Sequence, residues 1–260
     1  MTDTITSTHN PRIRALRKLR ERKHREGERQ FMAEGEDMLG AALDAGAEPR
    51  AVFAVPEPPP ELEALLSRLP RRTELVTATP EALAAAGSLG SGSRVIGVWD
   101  LPDIDAPVEP QAPGPAVYLH DVADPGNVGT VLRAAAAFDA APVVLSPRSA
   151  DPFGPKAVRA SMGAVFGRQL VRSGFEAARP ALAGHRAVAL VPGTGRPLRE
   201  VTLDGPVLFV LGAERAGLPQ DLLASCDEVA HVPLDRERAD SLNVAMAATL
   251  CLYEYRASHA

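Results

Sequence analysis

Three segments of the chain place reactive side chains where a predicted strand ends. In the first, Asp124 and Pro125 suit the start of a helix, Asn127 follows in its first turn, and Arg133 lies further along. A helical side chain leans toward the N-terminus, so Arg133 lies above Gly129, which has no side chain to block the path toward Asn127. An amide and a guanidinium near a helix N-terminus predict an anion site.

The other two segments follow two runs that are predicted as strands, the apolar run VLFV and the run EVAH. After the first run, Gly212 lets a ligand approach the backbone closely, and Glu214 is able to cap a helix or hold a basic partner. After the second run, Val232-Pro233-Leu234 is followed by Ser241-Leu242-Asn243, where we expect Ser241 to cap the last helix. Each segment alone is equally explained by ordinary capping and structural glycines. Open α/β sheets bind ligands at the carboxyl ends of their strands, which favours one shared site.

The elements that position these segments alternate between apolar strands and helices. From AVYLHD (116–121) onward this alternation predicts a parallel sheet covered on both faces, an α/β fold. Residues 155–166 are predicted as one helix, and 31–46 as another. The last helix, from about Ser241 to Tyr255, is predicted to carry an apolar face that includes Leu242, Ala245, Met246, Thr249, Leu250 and Tyr253.

Composition predicts four parts: a basic arm or helix (1–30), a small α/β domain (31–100), a proline-rich linker (101–115) and a larger domain (116–260). The net charge is −5, yet between Pro11 and Gln30 nine Arg and Lys residues face three acidic ones. Such segregation predicts contact with a polyanion, with a solvated helix face as the alternative.

Several function classes are excluded by missing patterns. The chain contains no P-loop, no dinucleotide-binding glycine motif after a strand, no H-E-x-x-H and no G-x-S-x-G. Two cysteines cannot form a disulfide framework or a four-ligand zinc site. With no secretory signal and no apolar run long enough to span a bilayer, we expect a cytoplasmic protein without metal.

Taken in order, the three segments resemble the motifs of the SpoU/TrmH branch of the SPOUT superfamily, which are S-adenosylmethionine-dependent RNA ribose 2′-O-methyltransferases. That family reads N-x-G-x-x-x-R, then G-x-E-x-x-G-[LM], then I-P-M…S-L-N. The likeness covers about 116–256, and residues 10–35 look like the start of the family's substrate-binding domain, similar to a small ribosomal protein. One departure is the loop 235–240, which lacks the family's glycine and is longer by about one residue.

The resemblance implies a trefoil knot in the C-terminal domain, a homodimer with an active site drawn from both subunits, and methyl transfer to RNA. Ribosomal RNA is favoured as the substrate, and transfer RNA stays open. It assigns catalysis to Asn127, Arg133, Glu214, Ser241 and Asn243. It assigns cofactor binding to Leu190, Pro192, Gly193, Gly212, Val232, Leu234 and Leu242. RNA contacts are expected at Arg14, Arg17, Arg20 and Arg22, and at Lys156 and Arg159.

Two alternatives stay open at this point. Other SPOUT branches methylate bases, although the N…R and S-L-N motifs favour ribose. A protein that keeps the fold and binds RNA without catalysis is the alternative from another class, favoured by the unusual 235–240 loop and opposed by the intact catalytic set.

Overall fold

The computed structural model describes residues 4–89, 92–108, 114–167, 170–235 and 237–259. The chain forms two compact units: unit 1 contains residues 1–102 and 151–167, and unit 2 contains residues 103–150 and 168–260. Residues 109–113 of the predicted linker lie outside the described residues. Within the described ranges, no helix is long and apolar enough to cross a membrane.

Unit 1 begins with nine helices and strands: α1 (Pro11–Lys18), α2 (Arg22–Glu28), β1 (Gln30–Glu34), α3 (Glu36–Asp44), β2 (Ala51–Ala54), α4 (Pro60–Ser67), β3 (Glu74–Thr77), α5 (Pro80–Ala86) and β4 (Val95–Asp100). The strands form a mixed sheet with the order β1-β4-β2-β3. β4 is antiparallel to both of its neighbours, whereas β2 and β3 are parallel. This unit is the small N-terminal α/β domain that the sequence predicts.

The predicted basic helix of residues 10–30 is two helices in the structure. α1 buries Ile13 and Leu16 and ends at Leu19, also buried. The Arg25 guanidinium then donates to the carbonyls of Leu19 and Arg20 at 2.8 Å, directly after the end of α1. The break therefore has a local cause, and the basic arm is anchored by an apolar stripe.

The segment 31–46 is not one helix, and that prediction was wrong for its first residues. Residues Gln30–Glu34 form β1, whose Phe31, Met32 and Ala33 are buried. Gly35 follows with φ of 102°, a backbone conformation that suits glycine and separates the strand from α3. A short apolar run has no periodicity that tells a strand from a helix, so pairing with β4 decided its structure.

The rest of the chain contains β5 (Pro115–His120), α6 (Pro125–Ala137), β6 (Val143–Leu145), α7 (Pro155–Ser161), β7 (Leu170–Arg172), α8 (Phe175–Ala178), β8 (Arg186–Leu190), β9 (Arg196–Pro197), β10 (Val207–Gly212), α9 (Gln220–Ala224), β11 (Glu228–His231) and α10 (Val244–Ser258). Three short 3₁₀ turns lie at Ala164–Phe166, Arg179–Leu182 and Leu198–Glu200.

Unit 2 is built on a seven-stranded sheet with the order β7-β6-β5-β10-β8-β11-β9, in which every pair is parallel. This confirms the predicted parallel sheet. Alternate residues of the central strands pack on opposite faces: Tyr118 and Val210 lie with Phe175 and Leu222, whereas Phe209 contacts Tyr255 of α10. The trefoil knot stays a prediction, since strand order alone does not define how the chain threads.

Residues 151–167 were expected in the second domain, but they are grouped with unit 1. Asp151 pairs with Arg25 at 2.5 Å, and the two side chains are 16% and 4% exposed. Phe153 contacts Phe31, and Phe166 contacts Trp99, with ring centroids 5.0 and 4.8 Å apart. A sequence pattern cannot reveal this grouping, because the partners Arg25, Phe31 and Trp99 lie far earlier in the chain.

The predicted helix 155–166 also ends early, at Ser161. Met162 and Gly163 have φ of 47° and 92°, which stops the helix and starts the 3₁₀ turn. A Cβ on Gly163 would overlap the Cβ of Ala41, so glycine allows the close approach of α3.

The last helix differs from its prediction in both its cap and its core face. Asn243, not Ser241, is the N-cap: its Oδ1 accepts from the backbone N–H groups of Ala245 at 2.9 Å and Met246 at 3.4 Å. The buried residues of α10 include Val244, Ala248, Cys251 and Leu252. Met246, Leu250 and Tyr253, from the predicted apolar face, are 61%, 38% and 55% exposed.

Replacing Asp151 with Ala is expected to lower the free energy of unfolding of unit 1 by about 3 kcal/mol, because the Arg25 charge stays buried without its partner. Trp99 is the only tryptophan, so its fluorescence during urea unfolding reports on unit 1. Glu26→Ala is the matched control, because it removes the exposed partner of Arg22 and should change stability by less than about 0.5 kcal/mol. Equal effects of the two substitutions would contradict the anchoring role.

Asn243→Ala is expected to destabilise unit 2 by about 1 kcal/mol, the usual effect of losing an N-cap. Ser241→Ala should leave stability within a few tenths of a kcal/mol, because no hydrogen bond ties Ser241 to the described residues. Circular dichroism during denaturation measures both. A larger loss for Ser241→Ala would show that the cap is misassigned.

Candidate active site

The three predicted segments meet at the carboxyl ends of the central strands of unit 2. Asn243 donates from Nδ2 to Oδ1 of Asn127 at 2.9 Å, and Asn127 donates from Nδ2 to Oε1 of Glu214. These residues come from the start of α10, the first turn of α6 and the turn after β10. The structure therefore brings together three of the five predicted catalytic residues in one hydrogen-bonded chain.

The direction of this chain of hydrogen bonds is fixed at its α10 end. The Oδ1 atom of Asn243 accepts from backbone N–H groups, so only Nδ2 is available to face Asn127. Asn127 must then present its own oxygen to Asn243 and its N–H₂ group to Glu214. Glu214 accepts at the far end, as a carboxylate does.

Two features hold Asn127 in place from its own side. The predicted cap is confirmed: Asp124 Oδ1 accepts from the backbone N–H of Gly126 at 2.7 Å and of Asn127 at 3.1 Å. The loop before it is held by Asp121, which has φ of 54° and whose backbone N–H donates to Ser146 Oγ at 2.8 Å.

The side chain of Asp121 also takes part in holding this loop. It accepts from Ser146 Oγ at 2.7 Å and pairs with Arg148. Burial by itself would raise the pKa of Asp121, but these hydrogen bonds and the nearby positive charges hold its pKa below the usual value. Sequence reasoning missed Asp121 as a positioning residue, although it directly follows His120 at the end of a predicted strand.

Arg133 and Ser241 are not part of the hydrogen-bonded chain. Arg133 is exposed on α6 and makes no hydrogen bond or ion pair with any residue that the structure describes. Ser241 is exposed and lines the cleft described next. A guanidinium without a protein partner is available to an anionic group that enters from outside.

A cleft of about 290 Å³ opens beside Glu214, between the ends of β8, β10 and β11 and the start of α10. Six of the seven predicted cofactor residues line it: Leu190, Pro192, Gly212, Val232, Leu234 and Leu242. Gly193, with φ of 64°, is not among the lining residues. Sequence reasoning did not assign cofactor contacts to several other residues that line the cleft, including Ala213, Gly217, His231, Val244 and Ala247. The only signal for them in the sequence is that they lie in or next to the motifs.

The turn after β10 forms one wall of the cleft and depends on two glycines. The N–H of Gly217 donates to the carbonyl of Ala213 at 2.9 Å, and Gly217 has φ of 66°. A Cβ on Gly212 would overlap the backbone carbonyl of Gly217. Both positions therefore need glycine for the turn to close, and residues 212–217 all line the cleft.

The loop 235–240, where the sequence departs from the family pattern, is described except for residue 236. Asp235 accepts from the N–H of Glu237 at 3.2 Å and pairs with Arg238 at 3.1 Å. Leu234, directly before it, still lines the cleft. Within the part of the chain that the structure describes, no group of three or more His, Cys, Asp or Glu residues is able to hold a metal ion.

The predicted RNA-binding residues all lie in unit 1. Arg14 and Arg17 are exposed and have no partner among the described residues. Arg20 donates to the carbonyl of Gly87, Arg22 pairs with Glu26, and Arg159 donates to Ser88 Oγ. Lys156 is exposed, and it is not without an interaction partner. The basic arm is therefore partly occupied by contacts within the unit.

Comparison with known proteins agrees with this geometry over the whole chain. Residues 114–253 match the SpoU rRNA Methylase family, and residues 10–96 match the MRM3-like substrate binding domain. The chain is 28% identical to the 23S rRNA (guanosine(2553)-2′-O)-methyltransferase RlmP of Bacillus subtilis, covering 97% of this chain and 98% of that protein. It is 30% identical to an uncharacterized tRNA/rRNA methyltransferase of Synechocystis, covering 97% and 93%.

Solved structures give the same result. An AdoMet-bound rRNA methyltransferase from Sinorhizobium meliloti is 30% identical, with a TM-score of 0.88 over 99% of this chain and 98% of that one. AviRb from Streptomyces viridochromogenes, a SpoU methyltransferase in complex with AdoMet, is 26% identical, with a TM-score of 0.82 over 96% and 98%. The motifs, the sheet and the family match agree, and the chain belongs to the SpoU rRNA methylase family.

Proposed function

We propose that this protein transfers a methyl group from S-adenosylmethionine to the 2′-hydroxyl of a ribose in ribosomal RNA. The observation that carries the proposal is the hydrogen-bonded chain Asn243–Asn127–Glu214 at the rim of the cleft. Relatives named as 23S rRNA 2′-O-methyltransferases support ribose as the acceptor and ribosomal RNA as the substrate. Solved neighbours with bound AdoMet support the cofactor.

The lining of the cleft suits the chemistry of this cofactor. Its walls are apolar at Leu190, Leu211 and Leu242, while the glycine turn 212–217 offers backbone donors and acceptors. S-adenosylmethionine supplies an electrophilic methyl group on a sulfonium. Gly212, Val232, Leu234 and Leu242 would hold it, largely through backbone groups.

The residues at the rim are suited to holding a ribose. Asn127 and Asn243 have fixed amide orientations, so they are ready to position a hydroxyl before it reacts. Arginine stays protonated in proteins, so Arg133 is assigned to binding the 2′-oxygen or an adjacent phosphate and stabilising the developing negative charge. The hydroxyl proton then leaves to an RNA phosphate or to water. The same residues argue against an RNA-binding protein without catalysis.

We also propose that the protein acts as a homodimer in the cytoplasm. Met246, Leu250 and Tyr253 lie at helical spacing on α10 and remain exposed in the single chain, an apolar stripe that a second copy would cover. Because α10 begins at Asn243, a partner on this helix would lie close to the reaction centre.

Arg133→Ala is expected to lower methyl transfer to 23S rRNA at least 100-fold while cofactor affinity stays within a few fold. Arg133→Lys should also be poor, since a point charge lacks the planar fork of a guanidinium. Tritium transfer from labelled S-adenosylmethionine, followed by nucleoside analysis for 2′-O-methylation, measures this. Arg199→Ala, an exposed arginine of the same unit, is the control. Near-normal turnover of either Arg133 variant would remove Arg133 from the catalytic set.

Gly212→Ala is expected to weaken S-adenosylmethionine binding at least tenfold, because the new Cβ displaces the turn that forms the wall of the cleft. Gly184→Ala is the matched control, since a Cβ there meets nothing within 4 Å. Calorimetric titration without added metal measures both, with circular dichroism as a check of folding. A folded Gly212→Ala protein with unchanged affinity would contradict the assignment of the cleft.

Leu250→Glu is expected to halve the particle mass in analytical ultracentrifugation, because a charge within the α10 stripe opposes burial. Leu75→Glu, at an apolar residue of unit 1 that is 46% exposed, should leave the mass unchanged. A wild-type protein that sediments as a monomer would rule out the dimer.

A further inference from the structure

A second concave surface lies within unit 1, between α1 and the sheet. This groove has a volume of about 740 Å³, larger than the cleft of unit 2. Its floor is apolar, with Phe53, Leu16 and Val98 among its lining residues. Four cations and two carboxylates line it as well: Arg12, Arg14, Lys18 and Arg50, with Glu28 and Glu74.

Arg12 is held as a fixed plane at this groove. Its guanidinium carbon lies 5.4 Å from the centre of the Phe53 ring, and its Nη2 pairs with Glu74. The Arg12 side chain is still 41% exposed, so the guanidinium is accessible to a ligand. A planar, weakly hydrated cation already backed by an aromatic ring is suited to stacking against a nucleobase.

Arg14 and Lys18 supply free charge beside that plane. They lie one turn apart on α1, both line the groove, and both are exposed. Neither side chain makes a hydrogen bond or ion pair with a described residue. By contrast, Arg50 pairs with Asp100, Arg22 with Glu26, and Arg20 donates to a carbonyl. The available positive charge of α1 inside the groove therefore comes from Arg14 and Lys18.

We propose that this groove binds an unstacked nucleotide of the substrate RNA, with its base against Arg12 and its flanking phosphates at Arg14 and Lys18. The inference rests on the proposed function and makes it more specific, because it narrows the RNA contacts from the whole basic arm to one face of α1. A flat stacking surface beside two free cations matches a base with its phosphates better than it matches an acidic peptide, which would use the charges alone.

Charge reversal in the full-length protein tests the phosphate contacts. Arg14→Glu combined with Lys18→Glu is compared with Lys23→Glu combined with Arg71→Glu, an equal change on exposed residues of unit 1 outside the groove. The probes are a fluorescein-labelled single-stranded RNA 12-mer and protein-free 23S rRNA. The groove variant should raise the Kd for RNA at least tenfold. It should also reduce the steepness of log K against log salt by about 1.4, the contribution of counterions released from two phosphates of a single strand. The control should raise the Kd less than threefold.

Arg12→Lys tests the stacking surface, since it keeps the charge and removes the plane. Its Kd should rise about fivefold with the salt slope unchanged, and quenching of a 2-aminopurine base in the 12-mer should be lost. Equal losses in the two double variants, or full quenching by Arg12→Lys, would overturn the groove assignment. Competition by a polyglutamate 12-mer as effective as that by RNA would instead indicate an acidic protein partner and also overturn it.

The outcome is separable from the proposed activity. Groove variants should raise KM for RNA while kcat and S-adenosylmethionine affinity stay at wild-type values. If the wild type methylates ribose and the groove variants show the wild-type KM and Kd for RNA, only the groove assignment fails. If the wild type binds RNA through the groove but transfers no methyl group, the proposed function fails and the groove remains.

Discussion

The side chain of Asn243 has two roles, since it caps a helix and also bonds a side chain on another helix. Its oxygen ends a helix by accepting from Ala245 and Met246, and its nitrogen reaches Asn127 on a different helix. Because the cap fixes which end of the amide faces Asn127, it also fixes the orientation of Asn127 toward Glu214. This chain of hydrogen bonds forms only when α6, α10 and the turn after β10 are correctly placed relative to one another. The packing of unit 2 is thereby coupled to the geometry of its proposed reaction centre.

Unit 1 depends on a comparable long-range interaction. Arg25 is buried where α1 ends, and its charge is balanced by Asp151, which comes from the middle of the unit 2 sequence. Phe153 and Phe166 complete the aromatic cluster around Phe31 and Trp99. The substrate-binding part of the chain is therefore complete only when a segment between β6 and β7 joins it. This makes the two units inseparable in sequence, although each has its own core.

Local signals in the sequence predicted local structure well. Asp124 followed by proline predicted the start of α6, and the apolar runs predicted the parallel sheet, because both follow from neighbouring residues. The cap of α10 was different: Ser241 and Asn243 are both good caps, and the choice depends on Asn127, 116 residues away. Strand β1 forms by pairing with β4, and Asp151 joins unit 1 by pairing with Arg25. Neither feature has a signal within its own segment of the sequence. The cleft was predicted through its motifs, whereas the groove of unit 1 needed the fold.

We propose that the Asn243–Asn127–Glu214 centre, together with Arg133, methylates ribose in ribosomal RNA. Mapping 2′-O-methyl groups in total RNA tests it most directly, using the parent strain, a strain without the gene, and the deletion strain carrying either the wild-type gene or the Arg133→Ala variant. We expect deletion to remove 2′-O-methylation at a ribosomal RNA position, and we expect the wild-type gene, but not the variant, to restore it. Identical 2′-O-methyl maps in all four strains, or the loss of a base methyl group instead, would contradict it.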